Sequence, residues 1–343
     1  MSENAVLRHA ESGDWEHAVA HAQRAVAAGR PLDAEDAWPA VMVLYLRGDL
    51  VGASAVRAMA RPGGGEADRA LLAAWSASVA WARGEVDACR DLAEEALARA
   101  AGEPRALAAA HTALALLAAA EGDRRGNERH YALGLAAAER CEDRTQQLRI
   151  RTNRASQRME EGDLTGALSE LDHVLWRFGF GPDAHPNGLG LAHNNRAEIL
   201  IRAGRLAEAR DGFRTALTVL QRAGAAGVAY ALAGLGETHE ARGDLTQARA
   251  AYEEAVEVAG ERGFSQALVP ALCGLARVLA ATGDVTAART AGRRAVAEAT
   301  SLTAPQAYAA AGWAALPEDP AAARGHADEA IELARTGRRP AAL

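Results

Sequence analysis

Five arginines crowd one short stretch of this chain, at Arg144, Arg149, Arg151, Arg154 and Arg158. Guanidinium groups bind carboxylates and phosphates through paired N–H donors. The run is therefore either a docking site for an acidic partner or phosphate group, or a solvated helix rim balanced by neighbouring acids. The rim is the expectation. His17 and His21 stand four residues apart, a helical spacing that can hold a metal ion. No third ligand is evident beside them in sequence, so no metal is expected. A Gly-Lys-Ser/Thr nucleotide loop is impossible, because all 38 basic residues are arginine. The Gly-x-Ser-x-Gly elbow of serine hydrolases is also missing. No catalytic residue and no cofactor are expected.

The 343-residue chain carries a net charge of −7, which argues against general binding to nucleic acid or to anionic membranes. Its longest apolar stretches, such as Ala113–Ala120, are too short to span a bilayer. Cys89, Cys141 and Cys273 are far apart, which suits a reduced cytoplasmic chain better than a disulfide scaffold or zinc site. Met1-Ser-Glu-Asn opens no export signal. A soluble cytoplasmic protein is the expectation.

Whatever these side chains do, a periodic scaffold must position them. A glycine followed by a charged residue recurs at Gly13, Gly48, Gly84, Gly122, Gly162, Gly204, Gly243 and Gly283, and Glu318-Asp319-Pro320 stands in for a ninth. Around Gly243, Ala229–Arg242 reads as one helix and Leu245 to about Gly260 as a second. The glycine closes the first helix in a left-handed conformation, and Asp244 can cap the second. Each unit is thus a helical hairpin with one apolar face, which must stack on a neighbour. Aligned on the anchors, three positions are nearly always small. Ala77, Ala115, Ala155, Ala197 and Gly236 lie seven residues before; Ala18, Ala53, Ala209 and Ala248 five after; Ala25, Ala60, Ala216 and Ala255 twelve after. Small residues there let helices pack closely.

These small residues and the glycine–aspartate turn resemble the tetratricopeptide repeat over residues 2–337. The resemblance implies an all-α, right-handed α-solenoid of about nine hairpins, filling 1–343 as a single domain. Units longer than the usual period are similar to the sensor regions of large bacterial transcriptional regulators. Asn127 and Gly134 make the fourth unit the poorest match to the repeat, so a distorted second helix is expected there.

In tetratricopeptide arrays the first helix of each unit lines the concave groove, where ligands usually bind. Carried onto this sequence, the groove positions hold Arg149, Asn153 and Ser156, then Asn194, Asn195, Glu198 and Arg202, then Tyr230 and Glu237, then Arg277. Thr152, Glu160 and Glu240 fall on the same faces, while Trp38, Tyr45 and Trp81 give the second and third units an aromatic end. Amides can hold a peptide backbone, arginine its carboxylates and aromatics its apolar side chains. The expected function is a protein- or peptide-binding scaffold in a regulatory complex. The alternatives are a ligand-responsive sensor and, less favoured, a biosynthetic enzyme using Glu198, Glu237 and Glu240 as an acid–base group. His111 and His193 share a repeat position, which suggests packing or surface roles.

Three connectors interrupt the rhythm. Gly29–Asp36 and Arg61–Gly65 read as loops, as does a longer segment at about 177–190. The long one is either a plain surface connection or a flap offering Trp176, Phe178 and Phe180 to the groove. The C-terminal unit shows no polar capping helix, so a homodimer through that end is an option.

Overall fold

The computed structural model describes residues 5–61, 63–179, 185–225, 227–300 and 303–336. Phe180, the connector through 184, Met1-Ser-Glu-Asn and the residues after Thr336 lie outside the described residues. Nine helical hairpins follow one another: α1 (Ala5–Glu11) with α2 (Trp15–Ala28), α3 (Ala34–Arg47) with α4 (Leu50–Met59), and α5 (Glu66–Arg83) with α6 (Val86–Arg99). Then come α7 (Pro104–Ala120) with α8 (Arg124–Arg140), α9 (Arg144–Glu160) with α10 (Leu164–Phe178), and α11 (Pro186–Arg202) with α12 (Leu206–Arg222). The last three are α13 (Val228–Ala241) with α14 (Leu245–Glu261), α15 (Ser265–Ala281) with α16 (Val285–Ala297), and α17 (Ala304–Ala315) with α18 (Pro320–Thr336). The protein is an all-α repeat solenoid. Among the described residues no helix is long and apolar enough to cross a membrane.

All eight anchor glycines have φ between 73° and 84°. At Gly243 nothing would obstruct an added methyl group, so backbone conformation alone requires glycine there. Its N–H donates to the Glu240 carbonyl at 3.0 Å and the next N–H to His239 at 2.9 Å, which satisfies the carbonyls left over at the helix end. The charged residue after the glycine behaves less uniformly. Asp49, Asp123, Asp163 and Asp284 accept a backbone N–H in the first turn of the following helix. Asp244, expected to do the same, makes no such cap. Its carboxylate is instead 3.5 Å from Arg242 Nε and 3.7 Å from His239 Nδ1.

The small-residue positions are where helices touch. Ala77, Ala115, Ala155 and Ala197 are fully buried. Gly236 lies under the ring of Tyr252, and Gly234 lies under Phe213, so a methyl group at either would strike an aromatic ring. The fourth unit corrects the expectation of distortion, for α8 runs unbroken through 17 residues. Asn127 is buried and donates from Nδ2 to the Ala115 carbonyl at 2.7 Å, so its amide nitrogen is satisfied inside the hairpin while its Oδ1 is left unpaired.

Two connectors are more helical than their composition suggests. Asp33 precedes α3, so Ala34, Glu35 and Asp36 form its first turn, with both acids favourably placed at the positive end of the helix dipole. The far side of the 177–190 connector is the start of α11. Pro186 takes the first helical position, and His185 Nδ1 accepts the Asn187 N–H at 3.1 Å. Phe178 ends α10 with 1% of its surface exposed, packed in the core rather than offered to a ligand. Trp176 is 72% exposed beside His173.

The array curls until its early hairpins meet its later ones. Gln266 Nε2 donates to the Trp81 carbonyl at 2.6 Å across 185 residues. The rings of Trp15 and His185 meet edge to face at 4.3 Å. Helix α3 also touches α11, and α5 touches α15.

Candidate functional site

The curl turns part of the groove into a pocket. Its floor is α9, which contributes Thr145, Leu148, Arg149, Thr152 and Asn153. One wall is Tyr45, Leu46 and Leu50 of the second hairpin. The opposite wall is Asn187, Gly188 and Leu191 of α11, Tyr230 of α13 and Phe264 beyond α14. The empty space, including its mouth, is about 770 Å³. Tyr230 meets Phe264 edge to face with centroids 5.2 Å apart, and burial pushes its hydroxyl pKa upward. His185 closes one corner; burial, then the charge of Arg47, lowers its pKa to about 3, so it is neutral.

Arg149 dominates this cavity. Its Nη2 donates to Ser78 Oγ at 2.8 Å and to the Tyr45 hydroxyl at 3.2 Å. Its guanidinium carbon lies 5.0 Å from the Tyr45 ring centre and 5.1 Å from that of Trp75. Aromatic faces stabilise a cation but do not neutralise it. Its Nη1 is buried with no hydrogen-bond partner, and among the described residues no carboxylate pairs with it. Thr152 Oγ1 and Asn187 Oδ1, both on the pocket lining, are likewise buried without partners. A buried polar atom left unpaired costs about 1–3 kcal/mol, more when charged. This constellation has donors and an acceptor in reserve.

Two of the remaining arginines meet neighbouring acids as the rim reading expects, although the Glu170 they share is buried rather than solvated. Arg151 bonds Glu139 and Glu170, each at 3.0 Å, and Arg154 holds both oxygens of Glu170 at 2.7 Å. Arg158 donates to the Gly166 carbonyl. Arg144 stacks on Phe178, its guanidinium carbon 5.5 Å from the ring centre.

Of the residues expected to bind, Arg149, Asn153 and Tyr230 reach the pocket. The others continue along the groove outside it. Asn195 Nδ2 donates to Ser156 Oγ at 2.8 Å and Asn194 Nδ2 to Asn195 Oδ1 at 3.3 Å, leaving the buried Asn194 Oδ1 unpaired. Arg202 pairs with Glu160 at 2.7 Å. Arg277 holds both oxygens of Glu240, at 3.1 and 3.0 Å, and the Tyr252 hydroxyl donates to the same carboxylate at 2.9 Å. Glu198 is closely surrounded by protein, although 38% of its side chain still meets solvent. Desolvation and then the neighbouring Glu237 push its pKa up to about 7. Burial also raises Glu237, opposed by Arg277.

Sequence reasoning placed Tyr45 on the aromatic end of the groove but did not bring it to Arg149. It missed Ser78 and Trp75, which hold the guanidinium, and Asn187, which lay in a presumed loop. Only the hydrophobicity of Phe264 and its place after the seventh hairpin could have suggested it as a wall. Trp38 is buried and donates to Asp68, while Trp81 joins the closure only through its carbonyl. The three cysteines are unpaired.

A family model for the tetratricopeptide repeat matches residues 189–261, the sixth and seventh hairpins. No curated protein matches the sequence. Among solved structures, a Rap protein complexed with competence and sporulation factor is similar with a TM-score of 0.69 at 12% identity, over 97% of this chain and 94% of that one. The apo form of RapI gives a TM-score of 0.57 at 9% identity, covering 78% of this chain and 98% of its own. At these identities the likeness is one of fold.

Proposed function

Because the chain is a tetratricopeptide-repeat protein, we propose that it binds a short peptide, or a peptide segment of a partner protein, by enclosing a carboxylate and its apolar neighbour in the Arg149 pocket. The single observation that carries this reading is the buried, unpaired Nη1 of Arg149 at the floor of a mostly apolar cavity. A carboxylate oxygen would accept from Nη1 and from the Thr152 hydroxyl, one helical turn along the same face. Asn187 Oδ1 would take a backbone N–H, and Tyr45, Tyr230 and Phe264 would cover the apolar side chain. Asn194, Asn195, Glu198 and Glu237 would meet the rest of an extended peptide, beside the ion pairs of Arg202 and Arg277.

The Rap protein solved with competence and sporulation factor supports a ligand-holding role for this architecture. The test is a library of short peptides, as free acids and as C-terminal amides, screened by calorimetry against the wild type and Arg149→Met. Free acids should bind, and amidation or the substitution should weaken binding of any peptide whose acid is terminal by about a hundredfold. Equal binding by Arg149→Met would refute the pocket.

A sensor role is the second reading, favoured by the origin of the walls. They come from early and late hairpins held together by few contacts, so a ligand touching both would favour the closed array. Small-angle scattering should then show compaction with the peptide found above. We further place the protein in a reduced cytoplasm as one domain. A homodimer would form through the last hairpin, where Trp313, Leu316 and Ile331 are at least half exposed. Catalysis has weaker support, resting on Glu198 and Glu237 without an adjoining nucleophile.

A further inference from the structure

We infer that the turn between α1 and α2 is a zinc site formed by His9, Asp14 and His17, with His21 beside them. The four-residue spacing of His17 and His21 places two imidazoles on one face of α2, and the fold supplies the missing ligand from the other helix. The His9 ring lies 5.4 Å from that of His17 and 5.2 Å from that of His21, nearly parallel to both. Between them stands the Asp14 carboxylate, one oxygen 3.1 Å from His9 Nδ1 and the other 2.8 Å from His17 Nδ1. One ligand atom from each of these three residues lies within 4.8 Å of the others.

Zinc bonds imidazole nitrogen and carboxylate oxygen at about 2.0–2.2 Å in a tetrahedron, which sets its ligands roughly 3.4 Å apart. The three side chains need to draw together by only about an ångström. They have room to do so, since His17 and Asp14 are 68% and 40% exposed. Bound zinc replaces the protons that the two Nδ1 atoms share with the carboxylate. Two imidazoles and one carboxylate suit zinc and its late transition-metal neighbours, and disfavour magnesium or calcium, which take oxygen. Arg8 and Arg24 place positive charge near His21, so that ring is the weakest of the four candidates and water is its rival for the fourth position.

The consequence reaches the groove. Asp14 also accepts the His17 backbone N–H, and the next residue is Trp15, whose ring meets His185 at the pocket corner. Zinc at this turn fixes the rim from which Trp15 projects.

The experiment is calorimetric titration of the full chain, free of any histidine tag, with zinc chloride near pH 7 in a non-coordinating buffer. One zinc per chain is expected, with no comparable heat from magnesium. His9→Gln, His17→Gln and Asp14→Asn should each weaken zinc by about tenfold or more, while the distant His193→Gln leaves it unchanged. Asparagine caps a helix as well as aspartate does, so Asp14→Asn separates metal loss from fold loss, with helicity followed by circular dichroism. Absence of zinc binding to the wild type overturns the site. So does unchanged affinity in Asp14→Asn or in a folded His9→Gln/His17→Gln variant.

Discussion

Two rows of groove residues, one about two helical turns from the other, have opposite fates. Thirteen residues before successive anchors stand Arg149, Leu191 and Tyr230, and all three line the pocket. Six residues before them stand Ser156, Glu198, Glu237 and Arg277. Ser156 bonds Asn195, Arg277 bonds Glu240 and Glu198 lies 3.9 Å from Arg202, while Glu237 repels Glu198. The first row is covered by the second and third hairpins, and its one charge has aromatic rings and hydroxyls for company. The second row lies uncovered, and its arginine has a carboxylate. A helical repeat presents equivalent positions many times over. Which of them become a site depends on what the far end of the array brings against them.

That contrast can be broken most sharply at Arg149. Arg149→Met should cost the free-acid ligand about 2–3 kcal/mol, roughly a hundredfold in affinity, because a charge-assisted bond in a dry pocket is lost. The thermal unfolding midpoint should fall modestly, since the bonds to Ser78 and Tyr45 and both ring contacts are lost while the unpaired Nη1 goes with them. The paired row should respond the other way. Glu240→Ala strands Arg277 beside Tyr252 and should destabilise the chain by about 1–2 kcal/mol, solvent access keeping the loss below that of a fully buried pair. Peptide affinity at the pocket should be largely retained, and a large fall there would mean that the rows act as one site.

Glu198 sharpens the comparison through pH. Its native pKa is raised to about 7 while the unfolded carboxyl stays near 4.5, so between those values the folded state holds more protons. Stability should therefore fall as pH rises through that window, by about 1 kcal/mol once solvent screening is counted. Denaturant unfolding at pH 5 and pH 8 should show the slope in the wild type and a flatter one in Glu198→Gln. The smallest effect belongs to Arg202→Gln. The ion pair with Glu160 is exposed on both sides, and its loss should stay within about 0.5 kcal/mol by the same measurement.

The hairpins were legible in sequence because their turns demand it: a left-handed backbone recurs at each anchor, and glycine is its usual occupant. Register then carried Arg149, Asn153 and Tyr230 to the face that lines the pocket. What register could not carry was the pairing of that face with Tyr45, Ser78 and Trp75, which depends on small rotations summed over several units. The α11 start was misread for a local reason. Gly188 and Gly190 look like loop residues, yet each is seated against a leucine, Leu148 and Leu220 respectively, at a close helix crossing. The Asp244 turn shows the converse error, since a residue type suited to capping was turned toward Arg242 and His239.

The bond from Gln266 to the Trp81 carbonyl has a further effect. An open stack of hairpins behaves as a linear chain of nearest-neighbour couplings, free to fray from either end. A tie between the third and eighth hairpins converts the four units between them into a loop, in which no member can melt without opening the tie or straining its neighbours. The central hairpins should consequently exchange their amide hydrogens as one block, with α17 and α18, beyond the tie, opening independently.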